Sequence, residues 1–542
     1  MADDAGVDPV GFVPDGFTVV REGKAAVLQR AGEVFYNKAQ VINRDLSKAC
    51  LRLFSRARDA EAKDRDSKDP SGRTSRRRQR KNGPPGDPLG LADVTGMRVL
   101  EGLAASGLRA IRYVRELGAD ELGCVVANDI EDAAVEAMRR NLGFNGMAAD
   151  GSGRVRPLQS DVRATMLSYE RAFDAVDLDP YGTPSTFLDG AVQCVADGGL
   201  LLCTATDMAV LCGNTPEVCW SKYGAYPLKG EHCHEQALRV LLYAIETAAN
   251  RHGRHIQPLL SVSIDFYVRV FVRVYTSSLV VKQAPSKMAY LHQAVGSKSF
   301  ELSPVGRVVQ KNGNPKHAAG HLPASTREGG RSEICGSPIA VGGPMWSGPI
   351  HDMGFVKDLL AELKSNESQY PAAKKVRSIL TAVSEELTDA PLYWNLHSMS
   401  GALKCTPPAY DVYKSAIINA GYRASGTHAS PLGIKTDAPP SLLWDILRVW
   451  VKDHPIKPQH EESVSHAVLS VAPTHEVNFA RAQGSRSKAK DNREARFLPN
   501  PQANWGPMPR AGSKRAREIA EQDAAAAAEN GQKADATPGA AE

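Results

Sequence analysis

The sequence predicts an α/β fold, in which a doubly wound, mostly parallel sheet is followed by a smaller C-terminal α+β domain. From residue 97 onward, short apolar runs alternate with amphipathic helical patterns, which is typical of strands joined by crossover helices. A helical segment at 231–250 then leads into apolar runs at 256–266 and 267–281, which predict added antiparallel strands. The predicted parallel strands lie near residues 97–101, 123–129, 154–159, 173–178 and 199–205.

The helices between these strands follow from apolar spacing. Ile111, Val114 and Leu117 recur at the interval of one helix face, as do residues 134, 138 and 142. A second group of helical patterns follows residue 350 and predicts a separate domain. Those patterns lie at 353–365, 371–388, 409–420 and 441–452.

The composition divides the 542 residues into six segments. Residues 55–92 are charged, poor in large apolar side chains and rich in Pro and Gly near their end, so they predict a disordered basic insertion. Residues 286–350 are rich in Gly, Pro and Ser and predict an irregular connection. The segments are 1–54 (N-terminal, contributing to the active site), 55–92, 93–285 (catalytic), 286–350, 351–455 (C-terminal) and 456–542 (a mostly disordered, basic and Ala-rich tail).

Charge and cysteine content favour a soluble intracellular protein. The formal net charge is only +5, so the clustering of charge matters more than its total. The nine cysteines form no evenly spaced framework, which suits a reducing compartment. The most apolar span, 259–281, is interrupted by Asp265, Arg269 and Arg273, and the acidic N-terminus does not resemble a signal peptide.

The turn after the first strand indicates a nucleotide-like ligand. Residues 101–107 contain small side chains that let a ligand approach the backbone, but they match neither a strict dinucleotide fingerprint nor a phosphate-binding loop. Glu101, Asp129 and Asp161 stand at successive strand ends. Carboxylates there can accept hydrogen bonds from ribose hydroxyls and from an adenine amine, and their negative charge would attract a positively charged sulfonium group. This pattern favours S-adenosylmethionine over ATP. Each acid could instead cap the helix that follows it.

The segment Asp177–Gly182 closes the apolar run at 173–176 and suggests the chemistry. Pro180 fixes its own φ and keeps Asp179 extended, so that a carboxylate and the Tyr181 ring are presented at a strand end. An exocyclic amine of a base needs an acceptor for its N–H and a surface that aligns it with the methyl donor. Asp179 and Tyr181 supply both. The alternative is that Asp177 and Asp179 only cap a turn.

Nine dispersed stretches carry a family resemblance: Glu22–Ala25, Val34–Asn37, Asn43–Ser47, Ala105–Tyr113, Asp177–Gly182, Thr204–Asp207, Gly230–Glu235, Gly342–Trp346 and Gly433–Thr436. Over about residues 18–455 the chain resembles the tRNA (guanine-N2)-dimethyltransferase family. That family comprises class I S-adenosylmethionine-dependent tRNA methyltransferases, which implies a Rossmann-like catalytic domain and a winged-helix-like C-terminal domain. The expected reaction methylates the N2 amine of guanine 26, at the junction of the D and anticodon stems, to N2,N2-dimethylguanine.

The resemblance implies residue roles. Asp179 is the expected catalytic carboxylate, with Tyr181 and Phe35 on either side of a flipped guanine. The residues expected to contact tRNA from the C-terminal domain are Thr427, His428 and Lys435. The residues expected to contact S-adenosylmethionine are Arg44, Arg109, Asp129, Asp161 and Val162.

No metal is expected. Many relatives carry two Cys-x-x-Cys pairs, but here His292 and Val295 occupy the first pair, and Ser332 leaves Cys335 alone in the second. The segment His232-Cys233-His234 resembles a metal cluster, yet consecutive helical residues point around the axis, which favours packing and polar contacts.

The remaining expectations concern partners and location. The basic runs 73–81 and 514–517 predict either RNA contacts or nuclear localisation signals. The nucleus is the expected compartment, with the mitochondrion as the alternative, and the protein is expected to act on tRNA as a monomer. Two other functions stay open: amino-methylation of another nucleic-acid base, and a non-catalytic tRNA-binding or folding factor.

Overall fold

The computed structural model describes residues 12–30, 36–68, 83–84, 86–323, 326–327 and 329–500. The chain begins with an antiparallel hairpin that is followed by one long helix. These elements are β1 (Phe17–Glu22), β2 (Ala25–Arg30) and α1 (Val41–Lys68).

The catalytic domain is built on a seven-stranded sheet in the order β5-β4-β3-β6-β7-β9-β8. Its strands are β3 (Met97–Glu101), β4 (Leu122–Asp129), β5 (Val155–Gln159), β6 (Phe173–Leu178), β7 (Val195–Ala205), β8 (Arg254–Ile264) and β9 (Tyr267–Thr276). Strands β3 to β7 are parallel, and β9 and β8 add an antiparallel end.

Helices cover both faces of this sheet. They are α2 (Leu108–Glu116), α3 (Asp132–Phe144), α4 (Val162–Ser168), α5 (Leu188–Cys194), α6 (Met208–Leu211), α7 (Pro216–Tyr223), α8 (Cys233–Arg251) and α9 (Ser278–Val281). Alternate residues of the central strands enter different cores: Leu100 and Val176 pack with α4, α5 and α8, whereas Val99 and Ala175 pack with α1 and α2. Because both faces are covered, the central strands are almost continuously apolar. The predicted α/β class is confirmed.

Residues 286–350 are more regular than predicted. Strands β10 (Met288–Ala294), β11 (Phe300–Pro304) and β16 (Ile339–Trp346) form an antiparallel sheet, and β12 (Gly306–Lys311) pairs with β13 (Asn314–Ala319). Strands β14 (Thr326–Arg327) and β15 (Arg331–Ser332) form a short ladder. The prediction of an irregular connection is wrong, because the strands bury apolar side chains such as Leu291 and Trp346 despite the Gly and Pro content.

The C-terminal domain has a winged-helix order of elements: helix, strand, two helices, then two strands. Its small sheet has the order β17-β19-β18. The elements from residue 353 are α10 (Met353–Ser365), α11 (Ala373–Ser384), β17 (Trp394–Asn395), α12 (Leu396–Leu403), α13 (Tyr410–Asn419), β18 (Ala424–Thr427), β19 (Ser430–Thr436) and α14 (Pro440–Asp453).

Two segments predicted to be disordered are partly ordered. Helix α1 continues to residue 68, because its charges are paired: Arg58 contacts buried Asp174 at 2.7 Å, and Glu61 accepts from Arg273. Beyond residue 455, α15 (Val464–Leu469) buries Ser465 and Val468, and α16 (Lys488–Asp491) buries Ala489. The basic runs 73–81 and 514–517 lie outside the described residues.

Candidate active site

The candidate site lies where the order of the sheet reverses. Strand β3 has β4 on one side and β6 on the other, and Glu101 is the register partner of Asp177 across β3 and β6. Ligands of open α/β sheets bind in the crevice that opens at the carboxyl ends of such strands. The loops after β3 and β6, which contain most of the predicted site residues, therefore meet at this edge.

Asp179 follows β6 and is held by two other elements. Arg109 of α2 donates to its Oδ2, and Asn43 Nδ2 of α1 lies 3.3 Å from the same oxygen. Among the described residues, no hydrogen-bond partner contacts Oδ1. The Asp179 side chain remains 19% exposed. One carboxylate oxygen is thus fixed and the other is free for a ligand.

Asp177 anchors the cations around Asp179. Its carboxylate accepts from Arg269 Nη2 and Tyr113 Oη, both at 2.8 Å, and from Arg109 Nη1 at 3.2 Å. Burial favours a raised pKa, but the charges of Arg109 and Arg269 outweigh it, so the pKa of Asp177 is lowered. Asp177 is therefore a permanent buried anion that orients both guanidinium groups.

The turn after β3 is shaped by Asp129. Its Oδ2 accepts from the Ala105 N–H at 2.8 Å, and Ala105 and Gly107 both have positive φ, at 48° and 73°. A Cβ added to Gly102 would lie 2.9 Å from Leu178 Cδ2 and 3.1 Å from Val162 Cγ2, so only glycine permits this close packing. Val162 thus lies directly beneath the turn.

Glu101 is the least satisfied acid at this edge. It is buried, Arg109 Nε lies 3.6 Å from its Oε1, and no hydrogen-bond partner of its Oε2 occurs in the described part of the chain. Burial raises the pKa of Glu101 to about 8, because the nearby Arg109 charge compensates only in part. A hydrogen bond from a ligand to this buried, unpaired carboxyl oxygen would relieve the cost of leaving it unsatisfied, and would therefore favour binding.

The other predicted cofactor residues have protein partners of their own. Arg44 donates to both carboxylate oxygens of Glu22, at 2.6 and 2.5 Å, and to the Asn37 carbonyl at 3.1 Å. Asp161 caps α4 through the Arg163 N–H and forms an ion pair with the Arg163 guanidinium at 2.6 Å. The capping alternative therefore describes at least part of the role of Asp161.

Tyr181 projects from a fixed loop. Gly182 donates its N–H to Thr206 Oγ1 at 2.7 Å and accepts from the Thr206 N–H at 2.9 Å, which ties the loop to the end of β7. The Tyr181 side chain is 66% exposed. Phe35, its expected partner, lies outside the described residues.

Sequence reasoning missed Asn43, Ser47 and Arg269 as site residues. Ser47 Oγ accepts from both Arg109 and Arg269, and Asn43 contacts Asp179 from the preceding helical turn. The available signal was Arg269 itself, because a charge inside an apolar strand requires a buried partner.

The three residues predicted to contact RNA from the C-terminal domain are buried. Lys435 is 1% exposed, and its Nζ lies 2.9 Å from Glu235 and 3.3 Å from Glu386. His428 Nδ1 lies 2.6 Å from Glu386, and Thr427 Oγ1 donates to the same carboxylate at 3.3 Å. Lys435 and His428, which also accepts from the Ser263 N–H, connect the two domains, whereas Thr427 bonds within the C-terminal domain. Contact of these side chains with RNA stays a prediction.

The residues at the family's cysteine positions pair with hydroxyls. His292 Nε2 lies 2.7 Å from Ser303 Oγ, and Cys335 Sγ contacts Ser297 and Ser337 at 3.3 and 3.2 Å. His232 Nε2 lies 3.0 Å from Gln293 Oε1, a polar contact of the kind predicted for this segment. Within the described ranges, no helix has the length and apolarity needed to cross a membrane.

Comparisons with known proteins identify the family of this chain. Residues 16–448 match the family model described as N2,N2-dimethylguanosine tRNA methyltransferase. The chain is 49% identical to the Arabidopsis thaliana protein named tRNA (guanine(26)-N(2))-dimethyltransferase 1, covering 92% of this chain and 88% of the relative. The human protein named tRNA (guanine(26)-N(2))-dimethyltransferase is 41% identical, with 93% and 80% covered.

A solved structure extends the comparison to the fold. Trm1 from Pyrococcus horikoshii, solved with S-adenosyl-L-methionine, matches with a TM-score of 0.61 and 29% identity, covering 79% of this chain and 98% of that one. The sequence matches span most of both proteins. This chain therefore belongs to the N2,N2-dimethylguanosine tRNA methyltransferase family.

Proposed function

We propose that this protein transfers methyl groups from S-adenosylmethionine to the exocyclic N2 amine of guanine 26 in tRNA, giving N2,N2-dimethylguanine. The observation that carries the proposal is Asp179, whose Oδ2 is held by Arg109 and Asn43 while Oδ1 stays open at the sheet edge. The names and coverage of the relatives support guanine in tRNA over another base. The intact carboxylate network argues against a non-catalytic binding factor.

The residues at the edge fit the methyl donor. Glu101 offers a buried carboxyl oxygen without a partner among the described residues, beside the tightly packed turn at Gly102. Glu101, Asp129 and Asp161 would hold its polar and positively charged groups, with Val162 beneath, and Arg44 and Arg109 would border the pocket. When bound, S-adenosylmethionine supplies an electrophilic methyl group on a positively charged sulfur.

Asp179 acts on the guanine. The N2 lone pair is delocalised into the ring, so the amine becomes nucleophilic only when an acceptor draws on its N–H. Asp179 Oδ1 accepts that hydrogen bond and receives the proton that the amine loses. Arg109 and Asn43 keep the carboxylate in one orientation, and Asp177 and Arg269 keep Arg109 in place.

The ring of Tyr181 provides a stacking surface for a base taken out of the tRNA, with Phe35 as its proposed partner. The anchored Gly182 turn supports this role because it fixes the backbone next to Tyr181, whose side chain stays exposed. We further propose that the protein acts as a monomer in the nucleus. The mitochondrion is the alternative, since a Saccharomyces cerevisiae relative at 30% identity is named mitochondrial.

The test compares Asp179→Asn with Asp453→Asn, an exposed acid at the end of α14, on an unmodified tRNA transcript. We expect Asp179→Asn to lower the single-turnover methylation rate by about 10²–10⁴-fold, because the acceptor is lost. S-adenosylmethionine affinity and thermal stability should change little, and the control should match the wild type. Nucleoside mass spectrometry identifies the product and counts its methyl groups.

Undiminished turnover by Asp179→Asn would contradict the proposed role of Asp179. Methylated adenosine would instead support action on another base. Wild-type protein that binds tRNA and S-adenosylmethionine but forms no methylated nucleoside would support the non-catalytic binding factor.

A further inference from the structure

The N-terminus of α8 lies beside a second cysteine that sequence reasoning did not connect to it. Cys233 and His234 are the first two residues of α8, and Cys212 follows α6. Their sulfur and imidazole nitrogen atoms all lie within 4.8 Å of one another, and all three residues are half-buried. Two thiols and an imidazole therefore converge from two elements.

Two unsatisfied polar atoms accompany the cluster. His234 Nδ1, an imidazole ring nitrogen, is buried and lacks a hydrogen-bond partner in the described structure. The Tyr393 hydroxyl is also buried without a partner among those residues, and it lies near enough to Cys233 and Cys212 for their charges to act on it. Buried polar groups usually have partners, so both atoms point to a ligand that would complete the site.

We propose that Cys212, Cys233 and His234 bind one thiophilic metal ion of the zinc class, through two thiolates and one imidazole. Such ions prefer sulfur and nitrogen donors, and three protein ligands leave one position for water. Binding releases one proton from each thiol. Each thiol must lose its proton to bind the ion, so ion affinity should rise with pH.

The other convergent cluster lacks this chemistry. His351, Glu386 and His428 also bring ligand atoms within 4.8 Å of one another. The ammonium of Lys435, however, lies 3.3 Å from Glu386 and already supplies the positive charge. A second cation there would face direct repulsion.

The proposed ion would connect two functional parts of the molecule. Helix α6 begins directly after Asp207, next to Thr206, which holds the Gly182 turn. Helix α8 carries Glu235, which pairs with Lys435 of the C-terminal domain. The ion would thus stabilise the link between the Tyr181 loop and the domain interface. This inference is independent of the proposed methyl transfer.

The test uses full-length protein that has been reduced, freed of metal with a chelator and titrated with Co²⁺ and then Zn²⁺. We expect one equivalent of Co²⁺ to produce a sulfur-to-cobalt charge-transfer band that Zn²⁺ abolishes. The band should be absent in Cys212→Ser and Cys233→Ser. It should persist in Cys335→Ser, which removes a half-buried thiol outside the cluster.

Two further measurements keep the test decisive. A second variant is needed because a cysteine variant could lose the band by folding poorly. His234→Gln retains both thiols, so it should keep the charge-transfer band but bind Co²⁺ more weakly than the wild type. Zn²⁺ should raise the Tm of the wild type and Cys335→Ser but not of Cys212→Ser. An unchanged band in Cys212→Ser would overturn the proposal. The same holds for a Cys212–Cys233 disulfide whose reduction yields no metal binding.

Discussion

Two buried charge networks organise this molecule, and they differ in how completely their carboxylates are paired. The catalytic-edge network comprises Glu101, Arg109, Asp177, Asp179 and Arg269, and it leaves one oxygen of Glu101 and one of Asp179 without a partner among the described residues. Burial raises the pKa of Glu101 to about 8.

The interdomain network comprises Glu235, Arg239, Glu386, His428 and Lys435. Each of its carboxylates has cationic or imidazole partners, as in the contacts of Lys435 with Glu235 and Glu386. Burial would raise the pKa of Glu235, but the charges of Lys435 and Arg239 outweigh it and lower the value to about 2.

The difference separates two uses of buried charge. A network with every group paired fixes one arrangement of two domains, because any rearrangement would leave a charge buried and alone. A network with unpaired carboxylate oxygens leaves their burial cost uncompensated, so a ligand that donates hydrogen bonds to them would be stabilised. We therefore expect variants of the interdomain network to alter stability most, and variants of the catalytic edge to alter binding, rate or pH dependence.

The largest expected effect on stability comes from Lys435→Met. This change leaves Glu235 and Glu386 buried without their shared cation, and we expect it to lower the free energy of unfolding by about 3–5 kcal/mol. Thermal and urea denaturation measure it, with Lys452→Met, an exposed lysine near the end of α14, as the control. If Lys435→Met instead kept full stability but bound tRNA weakly, the original RNA-contact hypothesis would be supported.

A smaller effect is expected from Glu101→Gln in ligand-free protein. The pKa of Glu101 is about 8 in the folded state and near 4.5 when unfolded, so the folded protein holds the extra proton between these values. Its stabilising contribution is complete below pH 4.5 and declines up to pH 8, by as much as about 1.4 kcal/mol per pH unit. Urea denaturation across pH 5–8 should therefore show a slope in the wild type that Glu101→Gln lacks. Parallel curves would mean that Glu101 ionises normally.

The smallest structural effect is expected from Asp161→Ser. Serine is also a good N-cap, so the stability of α4 should change by only a few tenths of a kcal/mol. If the carboxylate also contacts S-adenosylmethionine, calorimetry should show about tenfold weaker binding, the loss of roughly one charge-assisted hydrogen bond. Unchanged affinity would reduce Asp161 to a helix cap.

The outline of the fold and of the edge could be predicted locally. Continuous apolar runs predicted all five parallel strands, and Pro180 predicted the extended carboxylate at the end of β6. The pairing of charges could not be predicted in this way. Helix α1 continues past residue 54, although its composition suggested disorder, because Arg58 and Glu61 find partners on distant strands.

The sequence by itself determined the family, the parallel sheet and the location of Asp179, because apolar periodicity, turn chemistry and dispersed motifs are properties of neighbouring residues. Only the tertiary structure decided which charges meet. It brought Asn43 and Arg109 onto one oxygen of Asp179, buried Lys435 between two domains, and joined Cys212 to Cys233 and His234. Those contacts depend on how separate elements pack. They cannot be predicted from neighbouring residues, because partners that are far apart in the chain produce no local pattern in the sequence.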